Sequence, residues 1–332
     1  MQYRSFGRTG VQVSALCLGC MNFGDDTTEG DSVAIVHAAM DAGINFLDTA
    51  NIYSRGVSET ITGKALSDGN RRDRVFLATK FFNRMDAADP NSAGGHRHHI
   101  LREVENSLRR LGTDHIDLYQ MHRPQPSVPV DETLRALDDL VRSGKVRYIG
   151  TSTFGAWQIV ESLWASKELG LNRFVCEQMP YNLLDRRVER ELLPMCRTYG
   201  IATIPWAPVA GGLLSGKYSR ENRPADARYT NRTAPLNRDN AVALERVEAY
   251  TAYCAERNVN PAQFATAWVL AQTGVTSPII GPRTMAQLTD YLEAATLTIT
   301  DADTQKINEL FPPGTHVSDY YRADFGPNAR WI

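Results

Sequence analysis

The sequence predicts an α/β fold in which eight strand-helix units close into a parallel (β/α)8 TIM barrel, with an N-terminal β-hairpin and a C-terminal extension over the barrel. Three observations predict it. Short β-branched or apolar runs alternate with longer stretches of helical period. Several of those stretches end in a glycine, at Gly43, Gly112, Gly144, Gly170 and Gly200, where a left-handed cap is wanted before the chain returns to a strand. No linker or low-complexity segment divides the chain, so residues 1–332 read as one domain. Repeated βα units with short returns imply parallel strands, and eight of them can close on themselves. A doubly wound open sheet is the competing arrangement.

In chain order, Tyr3 to Phe6 and Val11 to Ser14 flank Gly7-Arg8-Thr9-Gly10, a hairpin pattern that could plug the bottom of a barrel. Strands are expected at Ala15–Leu18, Ile44–Asp48, Val75–Thr79, Ile116–Gln120, Val146–Gly150, Phe174–Gln178, Ala202–Trp206 and Thr276–Ile280. Helices are expected at Ser32–Ala42, His98–Leu111, Asp131–Ser143, Phe154–Leu169, Val188–Tyr199, Pro261–Gln272 and Met285–Ala295. The stretch from Tyr218 to Asp239 is long and polar, as functional loops after barrel strands often are. The tail beyond Phe311 carries Tyr320, Tyr321, Phe325 and Trp331, too aromatic for a disordered extension, and is expected to pack back over the mouth.

Composition narrows the function. The 332 residues are 42% hydrophobic and 22% charged, enough apolar material for a large core, and the net charge of −2 gives no long-range attraction to nucleic acid or an anionic membrane. A small-molecule ligand is expected. No apolar run approaches the roughly 20 residues that span a bilayer, and the start lacks a signal-peptide pattern, so a cytoplasmic protein is expected. The five cysteines are odd in number and lie mostly in apolar runs, which argues against a disulfide framework. Cys17-x-x-Cys20 sits in one of those runs and reads as packing before a redox or metal pair.

In a barrel, reactive groups gather where strands end. Asp48 closes the second strand and Tyr53 follows it; Lys80 closes the third; Gln120-Met121-His122-Arg123 closes the fourth. A phenol is a weak acid, with an ordinary pKa of about 10, and a neighbouring cation would stabilise its phenolate. Lys80 can be that cation, and Asp48 can keep the lysine charged and aimed. His122 can donate a hydrogen bond to a carbonyl oxygen and stabilise the oxyanion that forms as hydride arrives. Taken singly, each has a plainer reading as an ion pair, a packed ring or a satisfied polar group; taken together they form a carbonyl-reduction site. A barrel aldolase using Lys80 as a Schiff-base amine would need the lysine neutral, which Asp48 opposes.

The chain also resembles the aldo-keto reductase superfamily, closest in pattern to its potassium-channel β-subunit-like and bacterial branch. The resemblance runs from Arg4-Ser5-Phe6-Gly7-Arg8-Thr9-Gly10 through Leu18 to Gly24, Asp48-Thr49-Ala50-x-x-Tyr53, Gly56-x-Ser58-Glu59 and Asp117-Leu118-Tyr119-Gln120-x-His122-x-Pro124 to the Gly281 segment. It implies that Asp48, Tyr53, Lys80 and His122 are the catalytic tetrad and that the cofactor is NADP(H). For the nicotinamide carboxamide it implies Ser152 and Gln178, with Thr153 where the family has Asn, a single hydroxyl in place of an amide. It implies that Trp206 stacks on the nicotinamide, and that the stretch from Pro208 through Leu213 and Ser215 to Lys217 holds the pyrophosphate. Gly281 and Arg283 would grip the adenosine phosphate, Arg283 with a fork of donors suited to it. Gln287 and Asp290 fit the adenine side, with Tyr291 where the family usually has Asn. Met21 is placed with the cofactor, and Phe23, Phe81 and Arg123 with the substrate, a small carbonyl or alcohol.

Three other patterns carry less. Gly211 to Lys217 fits a phosphate-loop motif, but Tyr218 stands where Ser or Thr would hold magnesium. His96, His98 and His99 lack the carboxylates or thiols of a metal site. Asn231-Arg232-Thr233 is a glycosylation sequon in form only. The other function class to weigh is a dinucleotide-sensing accessory subunit of the same fold with little turnover; the oligomeric state is not legible.

Overall fold

A computed structural model of the chain describes residues 1–222 and 241–317. A hairpin of β1 (Tyr3–Ser5) and β2 (Gln12–Ser14) precedes eight parallel strands. These are β3 (Cys17–Gly19), β4 (Phe46–Asp48), β5 (Phe76–Phe81), β6 (Ile116–Met121), β7 (Val146–Ser152), β8 (Phe174–Gln178), β9 (Ala202–Thr203) and β10 (Ile279–Ile280). Strands β3 to β9 lie side by side in sequence order, and β10 pairs with β3. The open seam is shut by backbone bonds from Thr276 N to Thr203 O (2.9 Å) and from Ile279 N to Pro205 O (2.8 Å). The sheet is therefore a closed (β/α)8 barrel.

Strands β3 and β4 are shorter than expected, at three residues each, and β9 and β10 are cut to two. Proline accounts for the latter pair: Pro205 and Pro278 have no N–H for the ladder and serve it only through their carbonyls, Pro205 O to Ile279 and Pro278 O to Cys17. Outside the barrel lie α1 (Glu29–Asp41), α2 (Val57–Leu66), α3 (Arg97–Leu111), α4 (Val130–Arg142), α5 (Ala156–Leu169), α6 (Leu192–Tyr199), α7 (Ala241–Glu256), α8 (Pro261–Ala271), α9 (Met285–Ala294) and α10 (Asp301–Leu310). All five expected cap glycines have positive φ.

Helices α2, α7 and α10 were not among the sequence expectations. α2 is Val57-Ser-Glu-Thr-Ile-Thr-Gly-Lys-Ala-Leu66, with β-branched residues and a central glycine, all poor helix formers. Tertiary contact overrides propensity there: a Cβ on Gly63 would collide with the Leu111 carbonyl oxygen, so the bare glycine lets α2 lie directly on the end of α3. α10 carries a legible start, a capping box of Thr300 and Asp303. The expected long loop and the tail beyond Phe311 fall partly, and the tail's four aromatic residues and the sequon wholly, outside the described residues.

Strand periodicity of two sorts the side chains into two cores. Phe46, Phe76, Ala78, Leu118, Cys176 and Ala202 meet inside the barrel. Phe6 enters from the hairpin, its ring 5.7 Å from Phe46 and 5.0 Å from Phe76, and so closes the end where strands begin. Gly7 permits this, since with φ of 55° a Cβ would lie 2.6 Å from Gly200 O. The larger core lies between barrel and helices. All five cysteines are free and buried. No helix among the described residues is long and apolar enough to cross a membrane.

Candidate active site

The same periodicity brings polar residues to the opposite end of the interior. Counting by twos from Phe46, Phe76, Leu118 and Cys176 reaches Asp48, Lys80, Gln120 and Gln178, all buried at the rim where strands end. The Lys80 ammonium is fully buried and its three N–H bonds are fully used. They reach Asp48 Oδ1 at 2.5 Å, Thr49 O at 2.8 Å and Tyr53 Oη at 3.2 Å. Asp48 Oδ2 accepts from Gln120 Nε2 at 3.1 Å and Gln178 Nε2 at 2.9 Å. Because Lys80 points a proton at the phenol oxygen, Tyr53 accepts there and keeps its own O–H for another partner.

Tyr53 stands on a tight reversal. Ser54, Arg55 and Gly56 have φ of 47°, 52° and 93°, and a short 3-10 turn over Tyr53–Gly56 leads straight into α2. The Gly56-x-Ser58-Glu59 segment anchors it. Ser58 Oγ donates to Cys20 O at 2.8 Å and meets Thr49 Oγ1 at 2.8 Å; Glu59 takes Thr79 Oγ1 and Arg110 Nε, each at 2.6 Å. Thr79 is the residue before Lys80, so one segment braces both phenol and ammonium.

Burial works against charge on Lys80, but Asp48 and Tyr53 outweigh it and raise its pKa above the ordinary value. For Tyr53 burial raises the pKa and Lys80 only partly offsets this. Lys80 does stabilise the phenolate as expected, but desolvation of the phenolate is the larger effect, and Tyr53 is held protonated. Burial, Lys80 and Arg123 push His122 well below its ordinary value, so it is neutral. Its Nδ1 lies 3.1 Å from Asn83 Nδ2, which can only donate. The imidazole proton is therefore on Nε2. The Tyr53 and His122 rings stand edge to face with centroids 5.8 Å apart.

Of these residues the sequence passed over Asn83 and marked Gln120 only as part of a strand end, without a role. Asn83 fixes the His122 tautomer across 39 positions of sequence, a contact no local pattern announces. Gln120 was legible: it stands two residues beyond inward-facing Leu118.

The expected cofactor residues ring the same end. Ser152 Oγ donates to Gln178 O at 2.9 Å, and Thr153, with φ of 61°, donates Oγ1–H to Ser152 O at 2.6 Å. Both hydroxyl oxygens keep lone pairs to accept with, and Gln178, having committed its amide nitrogen to Asp48, keeps its carbonyl oxygen. That acceptor set fits the NH2 of a carboxamide. Half-buried Trp206 follows β9, bridged to Pro180. Pro208 and Leu213 are buried, and Ser215 Oγ turns back to Gly212 O at 2.6 Å in the 3-10 turn Ala210–Ser215. Lys217 is exposed and Arg283 half-buried, and neither forms an ion pair among the described residues. Arg283 N donates to Gln287 Oε1 at 2.8 Å beside the start of α9, Gly281 O accepts from Asn22 Nδ2 at 3.1 Å, and Asp290 accepts from Gln263 at 3.3 Å. Arg283 beside a helix start suits phosphate. Met21 is exposed at the end of β3.

The expected substrate residues separate. Arg123 is half-buried, its Nη1 2.7 Å from His122 O and 3.4 Å from Thr153 Oγ1. Phe23 and Phe81 are 0% exposed, Phe81 packed on Tyr119 in the outer core, and neither offers a substrate any surface. Phe81 lies one residue past inward-facing Lys80, so the strand period turns it away from the barrel interior.

Comparison with known proteins matches residues 15–311 to the model of the Aldo/keto reductase family. The chain is 42% identical to the uncharacterized oxidoreductase YrpG of Bacillus subtilis (strain 168), over 97% of this chain and 99% of that protein. It is 37% identical, over 89% of this chain and 91% of the relative, to a protein of Oryza sativa subsp. japonica named "Probable voltage-gated potassium channel subunit beta". It is also 34% identical to versiconal hemiacetal acetate reductase of Aspergillus parasiticus, over 94% and 98%.

Proposed function

Since the chain belongs to the aldo/keto reductase family, whose members use NAD(P)H on small carbonyl substrates, we propose that it is an NADP(H)-dependent oxidoreductase that interconverts an aldehyde or ketone with its alcohol. The bound dinucleotide supplies or takes up the hydride. Tyr53 gives its phenolic proton to the carbonyl oxygen or takes it back, and His122 Nε2–H orients that oxygen and stabilises its growing charge. Lys80 and Asp48 aim the phenol and hold charge beside it. Ser152, Thr153 and Gln178 would hold the carboxamide, Trp206 the nicotinamide face, and Lys217 and Arg283 the phosphates. Preference for the 2′-phosphate form rests on Arg283.

The observation that carries the reading is the chain Asp48–Lys80–Tyr53 beside a neutral imidazole. Lys80 consumes three acceptors, so it cannot be the neutral amine of an aldolase, while Tyr53 retains a proton to give.

The test is turnover of NADPH and NADH with aromatic, aliphatic and sugar carbonyls, for wild type and Tyr53→Phe. The variant should bind NADPH normally and lose about 100-fold or more in kcat. Near-normal turnover in the variant would refute the assignment of Tyr53. Tight binding by the wild type without turnover on any carbonyl or alcohol would favour a dinucleotide-sensing subunit, the alternative that likeness to the channel subunit keeps open.

A further inference from the structure

Glu177 is a fully buried carboxyl to which the chemistry above gives no part. It lies on β8 between inward-facing Cys176 and Gln178, so its side chain points out of the barrel wall toward the start of α5. We propose that Glu177 is a positioning residue whose carboxyl clasps the reversal Thr151–Phe154 and thereby sets the two hydroxyls of Ser152 and Thr153 at the mouth of the site. The proposal rests on the reading of those hydroxyls as the carboxamide side of the dinucleotide pocket.

Phe154 N donates to Glu177 Oε1 at 3.1 Å, and Thr151 Oγ1 lies 2.5 Å from Oε2. These contacts bracket the reversal, one on each side of Ser152 and Thr153. What they hold is strained: Thr153 is β-branched with φ of 61°, a conformation that persists only where surroundings impose it. The Thr153 amide, bonded to Gln178 O at 2.9 Å, also favours charge on the carboxyl.

The clasp has two states. Burial raises the Glu177 pKa to about 8, against the donors of Thr151, Phe154 and Thr153 and the charge of Arg123. The thiol of Cys196 on α6 is pushed up by burial and by Glu177, and so is that of Cys176, although it points to the other face of the strand. Ionised, the carboxylate accepts from both Thr151 and Phe154. Protonated, its own O–H can donate to Thr151 Oγ1, whose hydrogen then turns to Cys176 O, 3.2 Å away. No polar atom is orphaned in either state, but the charged state grips the Phe154 amide more strongly. An acid raised in the folded state contributes stability fully present below its unfolded value of about 4.3 and lost as pH rises through the folded one. The window here runs up to about 8.

The experiment uses the full chain as wild type, Glu177→Ala and Glu177→Gln. It reads amide hydrogen exchange over residues 151–156 without dinucleotide, NADPH affinity by fluorescence, and unfolding from pH 5 to 9. Glu177→Ala should speed exchange at the turn and weaken NADPH binding by about tenfold, the order of one released backbone strain. Glu177→Gln, fixed in the neutral pattern, should flatten the fall in stability between pH 5 and 8. The ratio of wild-type to Gln-variant affinity should rise through pH 8. Exchange and affinity in Glu177→Ala within twofold of wild type overturn the proposal; should that variant not fold, a Gln-variant stability curve coincident with wild type overturns it instead. If no form binds NADPH or NADH yet exchange at the turn responds, the clasp stands and the reductase reading fails.

Discussion

Lys80 shows how much a single buried charge dictates. An ammonium taken out of water costs several kcal/mol unless its donors are met, and here Asp48, Thr49 and Tyr53 meet all three. Placing it beside a histidine has a consequence for pH. The His122 pKa is depressed by burial first and by Lys80 and Arg123 next. The stability its neutrality contributes is fully present above the unfolded value of about 6.5 and is lost as pH falls from there toward the folded value, because only the unfolded chain takes up the proton. Unfolding free energies of wild type and His122→Gln from pH 7.5 to 5 should therefore converge, by at most about 1.4 kcal/mol per pH unit; parallel curves would show that His122 titrates normally. At this scale Asp48, Tyr53, Lys80 and His122 were legible, because charge needs countercharge and each stood at a strand end. Asn83 and the net sign of the Tyr53 shift were not, since both depend on how deeply neighbours from distant sequence bury the group.

Elements obeyed their local signals where packing left them free. β8 runs Phe174–Gln178 as read from its sequence, and α3 ends at Gly112 in the left-handed conformation its glycine allows. α2 did not, for its residues disfavour a helix and only its bed against α3 makes one. Gly63→Ala tests that bed. Alanine gains up to about 1 kcal/mol of helix propensity, yet its methyl must force two backbones apart, so net destabilisation of about 1–3 kcal/mol is expected in urea unfolding. A more stable variant would mean that α2 and α3 do not meet there. Because α2 begins with the Ser58 and Glu59 anchors, the same substitution should lower kcat by moving Tyr53.

Across the whole molecule the two ends of the barrel divide the labour. Phe6, Phe46 and Phe76 close the end where strands begin, and the polar ring gathers where they finish. Phe6→Ala should cost about 3–5 kcal/mol, seen as a lower Tm, while kcat/KM per folded molecule at low temperature stays at the wild-type value. A matching loss of activity would show the plug to be coupled to the site. The sequence by itself determined the alternation of units, the caps, the hairpin, and which residue types could move a proton, because hydrophobic period and backbone preference act over a few neighbouring residues. Only the tertiary structure decided which expected residues share a surface. It turned Phe81 away from the interior, bound Gln178 to Asp48, set Asn83 on His122 and left Glu177 behind the turn that carries Ser152. Those outcomes depend on barrel closure and register, which bring together side chains as far apart in sequence as 130 residues and set the burial that fixes their charge.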